Sequence, residues 1–184
     1  MPDGRDSLLI VGAEFADLAQ RVSDRCRLTG EFTLRSGGTA TTYFDKYLFE
    51  GDPGILRDVA ELMVPLIPAD VEVLAGLELG GVPVATALSL ATGLPAAFVR
   101  KAPKTYGTAK LAEGTDVEGR RVLVVEDVIT TGGQVVASTE DLRARGALVT
   151  DVLCVIDRSE GNHAQINDTS LSVKALFTRT DLEG

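Results

Sequence analysis

The stretch VLVVEDVITTGGQ, residues 122–134, decides the fold class of this chain. The strand predicted over 121–125 is apolar from residue 122 onward, which is typical of a strand that is buried on both faces of a parallel sheet. Glu126 and Asp127 follow directly, at the predicted carboxyl end of the strand, which is where ligands bind in open α/β sheets. A Thr/Gly turn comes next, and 134–145 has apolar residues at helical spacing. The stretch therefore predicts a strand–turn–helix unit that carries a ligand site.

The order of the acids and the glycines indicates which ligand this unit binds. Peptide N–H groups at a glycine turn and helix start bind anions, and glycines let a phosphate approach closely. A P-loop would have Lys where Gln134 stands, and a dinucleotide fingerprint would place its acid about 20 residues after the glycines. Because the acids precede the turn, the unit fits a ribose 5-phosphate, with Glu126 and Asp127 on the hydroxyls and 128–134 on the phosphate. The alternative is an ordinary strand–turn–helix with two solvated acids.

After residue 71 the chain alternates between predicted strands and helices. The strands are 71–76, 96–101, 121–127, 148–157 and 171–177, and the helices are 82–92 and 134–145. This alternation predicts an α/β fold with a parallel sheet and right-handed crossovers. We expect a single domain over 1–184, with about 1–50 forming a hood over the carboxyl edge of the sheet and about 55–184 forming the α/β core.

The segment before residue 71 does not follow this alternation. Helical spacing over 12–28 is followed by Gly30, a plausible helix stop. A short strand is predicted over 42–46. A second helix is predicted from residue 53 to about residue 67, with Asp52 as its N-cap and proline at its first position.

Composition excludes several classes of protein. The net charge of −9 disfavours binding to nucleic acid. No apolar run approaches the roughly 20 residues of a membrane span, and no basic segment leads into an apolar core at the N-terminus. Cys26 and Cys154 are too far apart for a metal or redox motif, and Cys154 lies in an apolar run that predicts a buried thiol. These features predict a cytoplasmic protein. His163 follows the polar run 159–162 and is predicted to be a surface residue.

A basic segment over 100–112 contrasts with the acidic whole. It contains four cations and no acid: Arg100, Lys101, Lys104 and Lys110. A solvated basic loop is one interpretation. The other is a loop that closes over a polyanionic substrate.

Several motifs together resemble a known family. The stretch 122–134 resembles the phosphoribosyl-diphosphate motif of type I phosphoribosyltransferases. EFTLRSG at 31–37, followed by an aromatic pair at 43–44, resembles the N-terminal signature of orotate phosphoribosyltransferase. The resemblance extends to GGVP at 80–83, the Arg-Lys-x-x-Lys loop at 100–104 and the Asp-Arg pair at 157–158. It implies the type I phosphoribosyltransferase fold, a central, mainly parallel sheet flanked by helices with a small N-terminal hood.

The resemblance also implies roles for individual residues. Phosphoribosyl diphosphate would be bound by Arg35, Arg100, Lys101, Lys104, Tyr106, Glu126, Asp127, Val128, Ile129, Thr130, Thr131, Gly132, Gly133 and Gln134. The catalytic residues among these would be Arg100, Lys101, Lys104 and Asp127. Orotate would be bound by Tyr43, Phe44, Thr130 and Arg158. A guanidinium such as that of Arg158 grips a carboxylate or ring oxygen through two hydrogen bonds.

The implied reaction converts orotate and phosphoribosyl diphosphate to orotidine 5′-monophosphate and diphosphate, a step of UMP biosynthesis. Catalysis is expected to be mainly electrostatic, with Mg²⁺ as cofactor. We expect the ion to be held mainly through substrate oxygens rather than by a protein cage. The resemblance further implies a homodimer in which a loop over about 101–114 reaches the neighbouring site, with Gly107 and Gly114 as hinges.

This chain departs from the family pattern at three places. Arg35 stands where the signature has Lys, and Tyr106 stands where the loop usually has His, a change for which Lys110 is a candidate compensation. Leu79 and Gly80 replace a Tyr-Lys pair. Two other functions stay open: another type I transferase with a different base, and a non-catalytic regulator that binds phosphoribosyl diphosphate.

Overall fold

The N-terminal part of the chain is a long helix followed by a β-hairpin and two further helices. The computed structural model describes residues 4–33, 37–101, 111–159, 163 and 165–183. The first elements are α1 (Gly4–Cys26), β1 (Arg27–Thr33), β2 (Thr39–Phe44), α2 (Tyr47–Glu50) and α3 (Pro53–Met63). Strands β1 and β2 pair antiparallel. Asp52 caps α3 as predicted, because its Oδ1 accepts hydrogen bonds from the N–H groups of Gly54 (3.0 Å) and Ile55 (3.1 Å).

A mainly parallel sheet forms the centre of the fold, as predicted. Its strands are β3 (Val73–Leu77), β4 (Ala96–Val99), β5 (Ala112–Gly114), β6 (Arg121–Ile129), β7 (Leu148–Asp157) and β8 (Ser172–Thr178). The spatial order is β5-β4-β3-β6-β7-β8, and β5 alone among these strands pairs antiparallel. The remaining α-helices of the described residues are α4 (Gly81–Thr92), α5 (Gly133–Arg143) and α6 (Arg179–Glu183), and short 3-10 helices span Val64–Leu66 and Asn167–Thr169.

Alternate residues of the strands face two separate hydrophobic cores, one on each side of the sheet. Leu123 and Val125 of β6 pack with α1, α3 and α4 on one side. Val122 and Val124 pack with α5 on the other side. Cys154 belongs to the second core and is fully buried, which confirms its prediction as a core thiol. Burial on both faces explains why residues 122–125 of β6 are a continuous apolar run.

The N-terminal prediction needs two corrections. Gly30 does not end a helix, because α1 ends at Cys26 and Gly30 lies within β1. Helix α1 is also part of the core rather than of a hood: Leu18 and Val22 are buried, and the Phe15 ring lies 5.0 Å from that of Phe177. The end of β2 and the residues after it reach the carboxyl ends of β6 and β7.

Strand β5 was not predicted, and it revises the loop boundary and the hinge at Gly114. Ala112 to Gly114 pair with β4, and Leu111 is fully buried. Gly114 has a φ of +89°, and a Cβ there would lie 2.7 Å from the carbonyl oxygen of Ala96. Gly114 is therefore fixed against β4 rather than placed as a hinge.

None of the helices in the described segments is long and apolar enough to cross a bilayer.

Candidate active site

The acid pair lies within β6, two residues before its end. The strand continues to Ile129 because pairing with β7 extends to Asp157, so the prediction that it ends at the acids was wrong. Glu126 is 8% exposed and Asp127 is 0% exposed. The Asp127 N–H donates to Glu126 Oε1 (3.1 Å), and the Val128 N–H donates to Asp127 Oδ1 (2.6 Å). The acids are thus buried and held by the backbone, which excludes the alternative of two solvated acids.

Two residues that the sequence did not single out complete a buried charge cluster with this pair. The Lys46 ammonium forms an ion pair with Asp127 Oδ2. Glu50, at the end of α2 and 8% exposed, brings its carboxyl within hydrogen-bonding reach of Asp127. Lys46, the last residue of the strand predicted over 42–46, and Glu50, four residues later, were the available signal, but they lie about 80 residues from the acids they contact. Lys46, Glu50, Glu126 and Asp127 are called the acid cluster below.

The protonation of the acid cluster follows from its burial. Burial raises the pKa of both Glu50 and Glu126 to about 9, and the neighbouring Asp127 adds to each shift. Burial acts in the same direction on Asp127, but hydrogen bonds from Glu126, Glu50 and Lys46 outweigh it and hold the pKa of Asp127 below its ordinary value. At neutral pH the cluster therefore contains one ion pair, Lys46 with Asp127, together with the neutral carboxyls of Glu50 and Glu126.

The residues at the start of α4 pack directly against the acid cluster. A Cβ on Gly80 would overlap the Asp127 carboxylate, and one on Gly81 would overlap the carbonyl oxygen of Val125. Gly80 has an ordinary helical conformation, with φ −67° and ψ −36°. Glycine is therefore required at residue 80 for space rather than for backbone freedom. The Gly-Gly pair at 80–81 lets α4 begin directly on β6.

The Thr/Gly turn has the geometry of an anion site. Thr130 and Thr131 are exposed, Gly132 adopts a left-handed conformation with φ +80°, and α5 begins at Gly133. The side chain of Ile166 fills the space beside Gly132, where a Cβ would lie 2.6 Å from its Cδ1. The first peptide N–H groups of an α-helix have no partner within the helix, and here they follow the exposed threonines. The turn lies where it was predicted, whereas Val128 and Ile129, the first two residues of the segment 128–134 predicted to bind the phosphate, belong to β6.

A cavity of about 460 Å³ lies beside the carboxyl end of β7 and brings together three of the four predicted orotate residues. It is lined by Arg27, Thr42, Tyr43, Phe44, Ile156, Arg158, Arg179, Leu182 and Glu183. The Arg158 guanidinium lies over the Phe44 ring, 5.8 Å from its centroid, so a cation and an aromatic face define one wall. Thr130, the fourth predicted residue, does not line this cavity. It lies on the turn instead.

Asp157 and His163 hold the backbone around Arg158. Asp157 Oδ1 accepts from the N–H (2.8 Å) and hydroxyl (2.6 Å) of Ser159, and its Oδ2 lies 2.9 Å from His163 Nε2. The side chain of His163 is only 17% exposed. The prediction that His163 is a surface residue was therefore wrong, because this contact draws the imidazole against the strand end.

The basic segment begins at the carboxyl end of β4. The Arg100 N–H donates to the carbonyl of Leu111 (2.9 Å), and the Lys101 N–H donates to Glu78 Oε2 (3.3 Å). Arg100 Nε is buried and finds no hydrogen-bond partner among the described residues, whereas Lys101 is exposed. The other predicted contributors lie outside the described residues, namely Arg35, Lys104, Tyr106, Gly107 and Lys110.

The acid cluster predicts a dependence of stability on pH. Glu50 and Glu126 bind their protons more tightly in the folded chain, so the stability they contribute is complete below about pH 4.5 and is lost as pH rises through about 9. Glu50→Gln removes one of these titrations. We expect the variant to melt about 4 °C or more above the parent chain at pH 9, corresponding to roughly 2 kcal/mol, and to match it near pH 5.

Thermal unfolding followed by circular dichroism across this pH range measures the difference. Glu14→Gln, on an exposed position of α1, is the matched control and should track the parent at every pH. A constant offset between Glu50→Gln and the parent from pH 5 to pH 9 would contradict the assigned protonation.

Comparison with known proteins identifies the class that this fold and site define. Residues 50–175 match the family model for the phosphoribosyl transferase domain. An orotate phosphoribosyltransferase of Nocardioides sp. is 56% identical over 168 residues, which covers 91% of this chain and 94% of that protein. The chain belongs to the orotate phosphoribosyltransferase family.

Solved structures of this family share the fold. The Mycobacterium tuberculosis orotate phosphoribosyltransferase in complex with Fe(III) dicitrate superposes with a TM-score of 0.83 at 35% identity, covering 92% of this chain and 98% of that one. The same enzyme in complex with 5-phospho-alpha-D-ribosyl 1-diphosphate gives a TM-score of 0.79 at 32% identity, covering 93% and 99%.

Proposed function

We propose that this chain transfers the phosphoribosyl group of 5-phosphoribosyl 1-diphosphate to orotate, forming orotidine 5′-monophosphate and diphosphate in UMP biosynthesis. One observation carries the assignment of the site. The Arg158 N–H donates to the carbonyl of Ile129 (2.8 Å). This bond joins the cavity lined by Tyr43, Phe44 and Arg158, called the base cavity below, to the end of β6. The acid cluster and the Thr/Gly turn lie on either side of Ile129 in the sequence. A pyrimidine in the cavity would therefore lie next to a ribose phosphate held by this strand and turn.

The proposed reaction breaks the bond between the anomeric carbon and the diphosphate oxygen while a ring nitrogen of orotate bonds to that carbon. Positive charge develops on the ribose and negative charge on the diphosphate. Asp127 is the ionised acceptor for the ribose hydroxyls, and the N–H groups at the start of α5 bind the 5-phosphate. Arg100 and Lys101, at the carboxyl end of β4, would stabilise the departing diphosphate together with Lys104. The ring N–H that is replaced by the new bond gives up its proton to the departing diphosphate, whose negative charge grows as its own bond breaks, so the step needs no separate strong general base.

We propose Mg²⁺ as the cofactor, bound chiefly through the substrate. Among the described residues no group of three or more His, Cys, Asp or Glu side chains is arranged to hold a metal ion. Burial keeps the two glutamic acids of the acid cluster neutral and Lys46 balances the charge of Asp127, so the cluster has no uncompensated negative charge to attract a cation. Phosphate oxygens are the ligands that Mg²⁺ prefers, and the ion would neutralise charge on the diphosphate.

The assembly and location are part of the same proposal. We expect a homodimer in which the loop that follows Lys101 covers the site of the partner subunit, and we expect the protein in the cytoplasm. Since Leu111 is buried and Ala112 begins β5, residues from Leu111 onward pack within this subunit and would not belong to such a loop. Closure of such a loop would exclude water from the charged ribose.

The reaction is tested by following the ultraviolet absorbance of orotate with purified protein, phosphoribosyl diphosphate and Mg²⁺. We expect orotate to be consumed only when all components are present, and uracil and adenine to remain unchanged. Consumption of another base without orotate would indicate a different transferase. Binding of phosphoribosyl diphosphate without turnover of any base would indicate a regulator.

Arg158→Ala is expected to raise the KM for orotate by about 30- to 100-fold. The loss corresponds to roughly 2–3 kcal/mol for a charged hydrogen-bonded pair, and the KM for phosphoribosyl diphosphate should change less than about threefold. Initial rates at varied orotate and fixed cosubstrate measure the effect. Arg145→Ala, an exposed arginine of the α5–β7 turn, is the matched control. A wild-type KM for orotate in Arg158→Ala would remove Arg158 from the base site.

A further inference from the structure

The acid cluster contains a cation to which the reaction above assigns no role. Lys46 follows β2 by two residues, and Phe44 at the end of that strand lines the base cavity. Its ammonium nevertheless reaches away from the cavity to the fully buried carboxylate of Asp127. One short segment therefore contributes both to the base cavity and to the ribose end of the site.

We propose that Lys46 is a positioning residue of the phosphoribosyl diphosphate site, which holds the Asp127 carboxylate ionised and aimed for the ribose hydroxyls. The inference rests on the proposed function and extends it to a residue outside the acid–turn motif. A buried carboxylate needs a partner to stay charged, since an isolated ion in a protein interior loses most of its hydration energy. Lys46 is the cation that the described residues place against Asp127.

The other described residues around Asp127 do not supply a second counter-ion for its carboxylate. Glu50 and Glu126 are both buried, and burial raises their pKa to about 9, so they approach Asp127 as neutral donors rather than as counter-ions. Gly80 blocks the remaining side, because any side chain there would overlap the carboxylate. Without Lys46, three carboxyls would share a buried space with no positive charge against Asp127.

Lys46 is also the residue around Asp127 whose side chain can most readily move. Its side chain is 33% exposed and its ammonium lies 5.3 Å from the centroid of the Tyr47 ring, whereas Glu50, Glu126 and Gly80 are buried. The flexible four-carbon stem of a lysine lets the ammonium shift while keeping its charge nearby. A ribose hydroxyl would therefore reach Asp127 past the side chain of Lys46. Binding of phosphoribosyl diphosphate, rather than of orotate, should then depend on Lys46.

The test is steady-state kinetics of Lys46→Met and Lys46→Arg with each substrate varied in turn. We expect Lys46→Met to raise the KM for phosphoribosyl diphosphate by about 30-fold, as for loss of one partner of a buried charge pair. The KM for orotate should change less than about twofold. Lys46→Arg should recover most of the loss, because it restores the charge. Lys174→Met, which removes an exposed lysine of β8, is the matched control and should behave like the parent chain.

The outcomes separate positioning from a merely structural role. Wild-type kinetics in Lys46→Met, or an equal rise in both KM values with no recovery in Lys46→Arg, would overturn the proposal. If Lys46→Met does not fold, Lys46→Gln replaces it with the same expectations. Calorimetric titration with phosphoribosyl diphosphate measures binding of this ligand without turnover, so it tests the role of Lys46 independently of the proposed reaction. Should the parent bind this ligand and turn over no orotate, the proposed function fails, while weaker binding by Lys46→Met would still support the role of Lys46.

Discussion

Asp127→Asn should lower kcat/KM for phosphoribosyl diphosphate by about a thousandfold. The change replaces the one ionised acceptor of the acid cluster with a neutral amide. Two hydrogen bonds from ribose hydroxyls to a charged group are worth roughly 4 kcal/mol together, which corresponds to the stated factor. Most of the loss should persist at saturating orotate, because the ribose rather than the base loses its partner. Initial rates at varied phosphoribosyl diphosphate measure it directly.

Glu126→Gln provides the matched comparison at the neighbouring position. Because burial keeps Glu126 protonated in the folded chain, a neutral amide resembles it in charge and size. We therefore expect a loss at least tenfold smaller than that of Asp127→Asn, and thermal unfolding should verify that both variants fold. Equal losses in the two variants, or a larger loss in Glu126→Gln, would show that the ionised acceptor has been assigned to the wrong carboxyl.

Gly80→Ala is expected to have the second largest effect, although it adds a single methyl group. That methyl would occupy the space of the Asp127 carboxylate, so the side chain must rotate away or α4 must shift on β6. Either response breaks the ion pair with Lys46 and misplaces the acceptor. We expect kcat/KM for phosphoribosyl diphosphate to fall at least about a hundredfold, with roughly 1–3 kcal/mol lost from the free energy of unfolding. Kinetics and urea unfolding measure the two effects.

Gly12→Ala is the control for this substitution. It makes the same chemical change in α1, where a new Cβ has no atom within 4 Å, and it should slightly stabilise the helix. Normal kinetics in Gly80→Ala would mean that the close packing of α4 on Asp127 has no part in substrate binding.

The elements around the motif 122–134 were predictable because local signals determine them. A run of four apolar residues between polar flanks is sufficient to indicate a strand buried on both faces, and the alternation of such strands with helices indicates a parallel sheet. The Thr/Gly turn needs a left-handed residue at Gly132, which glycine supplies without strain. Asp52 caps α3 through its own neighbouring N–H groups. Each of these features depends on residues close together in sequence.

The features that were missed depend on contacts between distant parts of the chain. Lys46 and Glu50 acquire their significance only when β2 and α2 are packed against the end of β6. Strand β6 runs two residues past its acids because β7 offers partners as far as Asp157. Gly30 has the composition of a helix stop but pairs within a hairpin strand. His163 lies in a polar run that suggests solvent, yet Asp157 draws it inward.

The central claim is that one strand and the turn after it hold a sugar phosphate by both ends, with orotate in the adjoining cavity. A crystal structure with orotidine 5′-monophosphate tests it most directly. We expect at least one ribose hydroxyl within hydrogen-bonding distance of Asp127, the phosphate on the N–H groups at the start of α5, and the pyrimidine between Phe44 and Arg158. A nucleotide bound with its ribose away from β6, or with its base outside the cavity lined by Tyr43 and Arg158, would contradict the account.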